Sequence, residues 1–134
     1  MTIQDAIANI INVSYTNIRT KFTSPPAAIG KISTAQTPVM FARNVALERS
    51  NPSLNFKPGL VNAEVEFVVL VEPGRQNLQV KNYELLRNIM QEFVSLWELN
   101  STDLKIISYN IREGEETVGD TSYFAVLALV QIGL

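Results

Sequence analysis

Residues 61–71, Val-Asn-Ala-Glu-Val-Glu-Phe-Val-Val-Leu-Val, constrain the fold of this chain more than any other stretch. Side chains alternate faces along an extended strand, so Ala63, Val65, Phe67, Val69 and Val71 share one side. The opposite side begins wet at Asn62, Glu64 and Glu66 and turns apolar at Val68 and Leu70. Such a strand starts at a rim and runs into a covered region or into another subunit. Pro73-Gly74 stops it, and a helix follows.

The last strand, Ser122–Ile132, is apolar on both faces: Phe124, Val126, Ala128, Val130 and Ile132 on one, Tyr123, Ala125, Leu127 and Leu129 on the other. A strand of that kind is central or covered on both sides. In a chain of 134 residues a partner subunit is an available cover, and the sheet reads as too apolar for one small subunit to cover alone. The wet start of the strand at Glu64 and Glu66 is therefore placed at a subunit boundary.

Two helices complete the pattern. Thr2 to about Phe22 is predicted helical, with Thr2 as N-cap, Asp5 three residues on, and a stripe of Ile3, Ile7, Ile10, Ile11, Ser14 and Ile18. Ser24-Pro25-Pro26 ends it, and residues 27–37 read as a connector. The second helix spans about Gln79 to Leu99, with a seam of Tyr83, Leu86, Met90, Phe93 and Trp97 whose spacing is that of a core face. Further strands are expected at Pro38–Val45 and Leu104–Ile111, with Pro38 tolerated at a first strand position. Residues 44–60 read as a long loop or arm in which Leu54 and Phe56 are interface anchors. Arg112–Thr121 reads as a polar loop carrying Glu113, Glu115, Glu116 and Asp120. The expected fold is a single α+β domain over 1–134, a mainly antiparallel four-stranded sheet with two helices on one face. The passage from 61–71 through the helix to 104–111 resembles a crossover unit, which would add one parallel pair.

Composition narrows the chemistry. The chain has neither Cys nor His, which removes thiolate nucleophiles, disulfides, the usual triads and the commonest metal ligands. A net charge of −2 with no Lys or Arg run gives no stripe for gripping a nucleic-acid backbone. The acidic stretch 113–120 lacks the alternation of a calcium loop and reads as a solvated hairpin tip. No catalytic, cofactor or metal-binding residue is nominated, and the chain is expected to be no enzyme. No signal peptide and no apolar run of roughly 20 residues is present, so a soluble protein made in the cytoplasm, without membrane contact, is expected.

The order of elements resembles that of the tail terminator proteins of tailed bacteriophages. The likeness is carried by the opening helix around Ile3 to Ile18, the Thr37-Pro38-Val39-Met40-Phe41 approach to the first strand, the strand Val61–Val71, the helix Tyr83–Trp97 and the final strand pair. It is a likeness of order and length, without a diagnostic motif. It implies a structural virion protein, a homohexameric ring that caps the tail tube protein and joins it to the head-completion or connector proteins. DNA would pass through the lumen without sequence-specific binding. Glu113, Glu115 and Glu116 are then expected toward the lumen or a ring face, where they would repel DNA and let it slide. Another neck or head-completion ring protein shares nearly all these features. A cellular dimeric α+β module that binds a small ligand between helices and sheet is the more distant alternative.

Overall fold

The computed structural model describes residues 2–23, 36–50, 60–73, 83–118 and 121–134. Among these, the order is α1 (Ile3–Ile11), β1 (Thr20–Lys21), β2 (Val39–Ser50), β3 (Leu60–Pro73), α2 (Tyr83–Leu99), α3 (Ser101–Leu104), β4 (Ile106–Val118) and β5 (Thr121–Gly133). The architecture is α+β. Five strands form one mixed sheet in the order β1-β2-β3-β5-β4, one strand more than expected.

Helix α1 starts as the sequence indicates. The Thr2 hydroxyl accepts from the Asp5 amide at 3.1 Å and the Asp5 carboxylate accepts from the Thr2 amide at 3.3 Å, a reciprocal cap. That bond to Thr2 holds the Asp5 carboxyl below the usual carboxylate range. The helix stops at Ile11 rather than near Phe22. Beyond it, Asn12, Ser14 and Thr16 are middling helix formers whose polar side chains compete for backbone groups, Val13 is β-branched, and tertiary partners take over. The Tyr15 hydroxyl donates to the Ile10 carbonyl at 2.6 Å, and Thr20–Lys21 pair in parallel with Val39–Met40. Ile18 is buried as its place in the stripe implied, but on non-helical chain.

The single parallel pair is thus β1–β2, while β2–β3, β3–β5 and β5–β4 are antiparallel. The expected crossover neighbours β3 and β4 do not touch as a pair, because β5 lies between them. The reason is burial. Ala125, Val126, Leu127, Ala128 and Val130 are 5% exposed or less and need cover on both faces, whereas β4 carries Ser108, Asn110, Arg112, Glu113 and Glu115 in solvent and suits an edge. Two further expectations change. Residues 44–50 of the supposed loop continue β2, and Arg112–Val118 with Thr121 are hairpin strand rather than loop. Leu54 and Phe56, like Asp120, lie outside the described residues.

One face of the sheet, here the front, is covered by the helices. Its core joins Ala63, Val65, Phe67 and Val69 of β3 and Val126, Ala128 and Val130 of β5 to Ile7, Ile10, Leu86, Ile89, Phe93 and Trp97. Trp97 stacks on Phe93 with centroids 4.4 Å apart, and Tyr15 meets Phe93 edge-on at 5.3 Å. Each such buried side chain stabilises the fold by about 1.5–3 kcal/mol. The Trp97 indole N–H donates to the Tyr15 hydroxyl at 2.8 Å, so both polar atoms in this apolar layer are satisfied. Burial pushes the Tyr15 phenol well above its ordinary value.

Candidate functional site

The opposite, back face of the sheet has no helix among the described residues, yet it is dry. Val39, Phe41, Val68, Leu70, Ala125, Leu127, Val118 and Tyr123 form a second buried cluster with Phe22 packed against it. Val68 and Leu70 of β3 and Tyr123, Ala125 and Leu127 of β5 are therefore buried within the chain alone, while Leu129 on the same side stays 40% exposed. The wet start and dry end of β3 remain as read, with Glu64 exposed and Glu66 half-buried.

An ion-pair cluster sits at the border of this second core. Arg43 lies opposite Glu66 in the β2–β3 ladder and donates through Nε to Glu66 Oε1 at 2.6 Å. Its Nη1 and Nη2 donate to Glu116 Oε1 and Oε2 at 2.5 and 2.9 Å, a two-pronged carboxylate bond. Side-chain exposures of 25% for Arg43, 17% for Glu66 and 21% for Glu116 place the cluster at the half-buried margin, where pairing is worth more than on an open surface. The bonds to Glu116 and then to Glu66 raise the already high Arg43 pKa further, so the guanidinium is always charged.

This contact fixes the shape of the sheet. Arg43 is level with Glu66 and Leu129, while Glu116 is level with Tyr123, six residues further along and three strands across. In a flat sheet those positions would stand about 14 Å apart across the strands and about 20 Å apart along them. They touch because the sheet curls strongly between the two positions. A Cβ on Gly114 would come within 3.1 Å of the Leu127 Cδ1, so a side chain here would require the Leu127 side chain to shift. On β2, the register slips between Arg43 and Ala46, and Asn44 there adopts φ 53, a left-handed conformation that Asn tolerates better than most residues.

The acidic stretch is split by strand alternation. Glu116 turns to the back face and is consumed by Arg43, whereas Glu113 and Glu115 lie on the other side of β4 and are exposed. Among the described residues no group of three acidic side chains converges to hold a metal ion. Glu92 is also engaged: its carboxylate accepts from the Thr16 amide at 2.9 Å, the Thr16 hydroxyl at 2.5 Å and the Asn17 amide at 3.2 Å, tying the chain after α1 to α2. Beside it, Ser14, Asn17, Asn88, Gln91 and Ser95 line a polar groove of about 400 Å³.

Arg43, Tyr15 and Glu92 were not singled out from the sequence. Arg43 did carry a signal, a lone charge on the same strand face as Val39 and Phe41, which demands a counter-charge. Nothing in the spacing tells that the partner lies 73 residues away. Chemically, the cluster is a clasp: every carboxylate in it faces a fixed cation, and no group is left poised for proton transfer or nucleophilic attack. No protein-family model matches the chain, and no curated protein matches it.

Proposed function

We propose that this chain is a structural virion subunit that forms a homohexameric ring on the end of a phage tail tube and joins it to the head-completion proteins. The order of elements supports this reading, together with the resemblance that rests on it. The observation that carries it furthest is the extension of β2 and β3. Strands of 12 and 14 residues are about twice the usual length, and the outer part of β2 exposes Val45 and Leu47 at 47% and 63%. A ring needs a heterologous contact, one surface of each subunit fitting a different surface of the next. A projecting hairpin with apolar side chains suits that role, and Glu64, on the neighbouring strand, lies in the same region. Exposed Glu113 and Glu115 are placed toward the lumen or a ring face, where they would repel passing DNA.

Native mass spectrometry of the purified chain tests this, with a six-subunit species expected at micromolar concentration. A monomer or dimer under conditions where the fold is intact would overturn the ring. In the expected case, Leu47→Glu shifts the population toward monomer with an unchanged circular dichroism spectrum.

A further inference from the structure

We infer that the groove between α2 and the free edge of β4 is a docking site for an extended, acidic-ended segment of another protein, added as a sixth strand. Four observations meet there. β4 is the outermost strand of the sheet, 13 residues long, and nothing among the described residues pairs with its outer edge. Every second residue of such a strand turns its N–H and C=O outward, a ready template for another strand. A groove of about 340 Å³ runs beside it, floored by Met90 and Val94 of α2 and by Tyr109 and Ile111 of β4. All four are only partly buried.

The two ends of the groove differ. At one, the Tyr109 hydroxyl donates to Glu98, which closes that end and uses up both groups. At the other stands Arg87, exposed, lining the groove and making no ion pair among the described residues. A free guanidinium at the end of an apolar trough beside a strand edge selects a segment with apolar side chains at alternate positions and a carboxylate where it reaches Arg87. Main-chain bonds to β4 supply affinity and the pockets supply specificity. A second copy docked through its own β4 in a register centred on residues 113–116 would set carboxylates opposite carboxylates, which is destabilising.

This site is independent of the ring assignment, which concerns the far end of β2 and β3. The test uses the full chain and two labelled synthetic peptides of alternating Val and Thr, one ending in Glu and one in Lys. Fluorescence anisotropy is expected to show binding of the Glu peptide at least tenfold tighter than the Lys peptide. Arg87→Glu should reverse that preference, and amide shifts on the wild type should concentrate at residues 109–113. Equal affinity for the two peptides, no binding of either at millimolar concentration, or shifts confined to another strand would overturn the proposal. So would shifts at 109–113 that depend on protein concentration without peptide, since the occupant would then be a second copy.

Discussion

Each face of the sheet carries a buried apolar cluster, but the two are built differently. The front face is covered by separate elements, α1, α2 and α3, which bring a Phe93–Trp97 stack and a satisfied Tyr15–Trp97 hydrogen bond. The back face has no helix among the described residues; its buried cluster of strand side chains, with Phe22 packed against it, is bordered by Arg43 between Glu66 and Glu116. The back layer carries a charged clasp at its margin, whereas the front layer is held by large apolar and aromatic side chains.

The largest test of that contrast compares one aromatic from each layer. Trp97→Ala on the front and Phe41→Ala on the back, both fully or nearly fully buried, are each expected to cost about 3–5 kcal/mol in urea unfolding. A cost below about 1 kcal/mol for Phe41→Ala would mean that the back layer is no core in the isolated chain.

The clasp is the next largest. Arg43→Met leaves two half-buried carboxylates facing each other and is expected to cost about 1–3 kcal/mol. Glu66→Gln with Glu116→Gln in the same chain should recover part of that loss, and 1 M salt should narrow the gap between wild type and Arg43→Met. The Trp97→Ala deficit should not respond to salt.

Alkali probes the front layer selectively. The Tyr15 phenol is held protonated in the fold, whereas in the unfolded chain it ionises near pH 10. Its contribution is therefore complete below about pH 10 and is lost as pH rises toward the raised folded value. Melting temperature should fall between pH 9 and 11. Tyr15→Phe should be less stable at pH 7, since the indole N–H loses its acceptor, but should show a shallower alkaline decline. A residual slope is expected from Tyr109, raised by its bond to Glu98. The smallest effect belongs to the helix cap. Thr2→Ala should cost about 1 kcal/mol, well below either core substitution, because packing rather than the cap holds α1.

What could be read in advance was local. The alternation of 61–71 and 122–132 and the Thr2–Asp5 cap each depend on neighbours in sequence and were found where the pattern placed them; of the α2 seam, Leu86, Phe93 and Trp97 are buried, while Met90 is only partly buried and Ile89 takes its place in the core. The early end of α1, the insertion of β5 between β3 and β4, and the Arg43–Glu116 contact depend on residues far along the chain. Spacing does not encode them. Glu113, Glu115 and Glu116 illustrate the limit. Their charge suggested a solvated loop, but alternation within a strand separates them, and only the last finds Arg43. The apolar back side of β5 was legible as needing cover; that Tyr123, Ala125 and Leu127 find it within the chain while Leu129 stays 40% exposed was not.

The central position of β5 also sets an order of assembly. During folding β3 can pair early with β2, its near neighbour in sequence, but its second edge stays open until β5 arrives, as the pairing of Val65 with Val130 requires. Pairings at such separation form slowly. In the interval β3 offers Val65, Phe67, Val68, Val69 and Leu70 along an unpaired edge, the composition most prone to capture by another chain. Refolding yield should therefore fall with protein concentration more steeply than native stability alone would suggest.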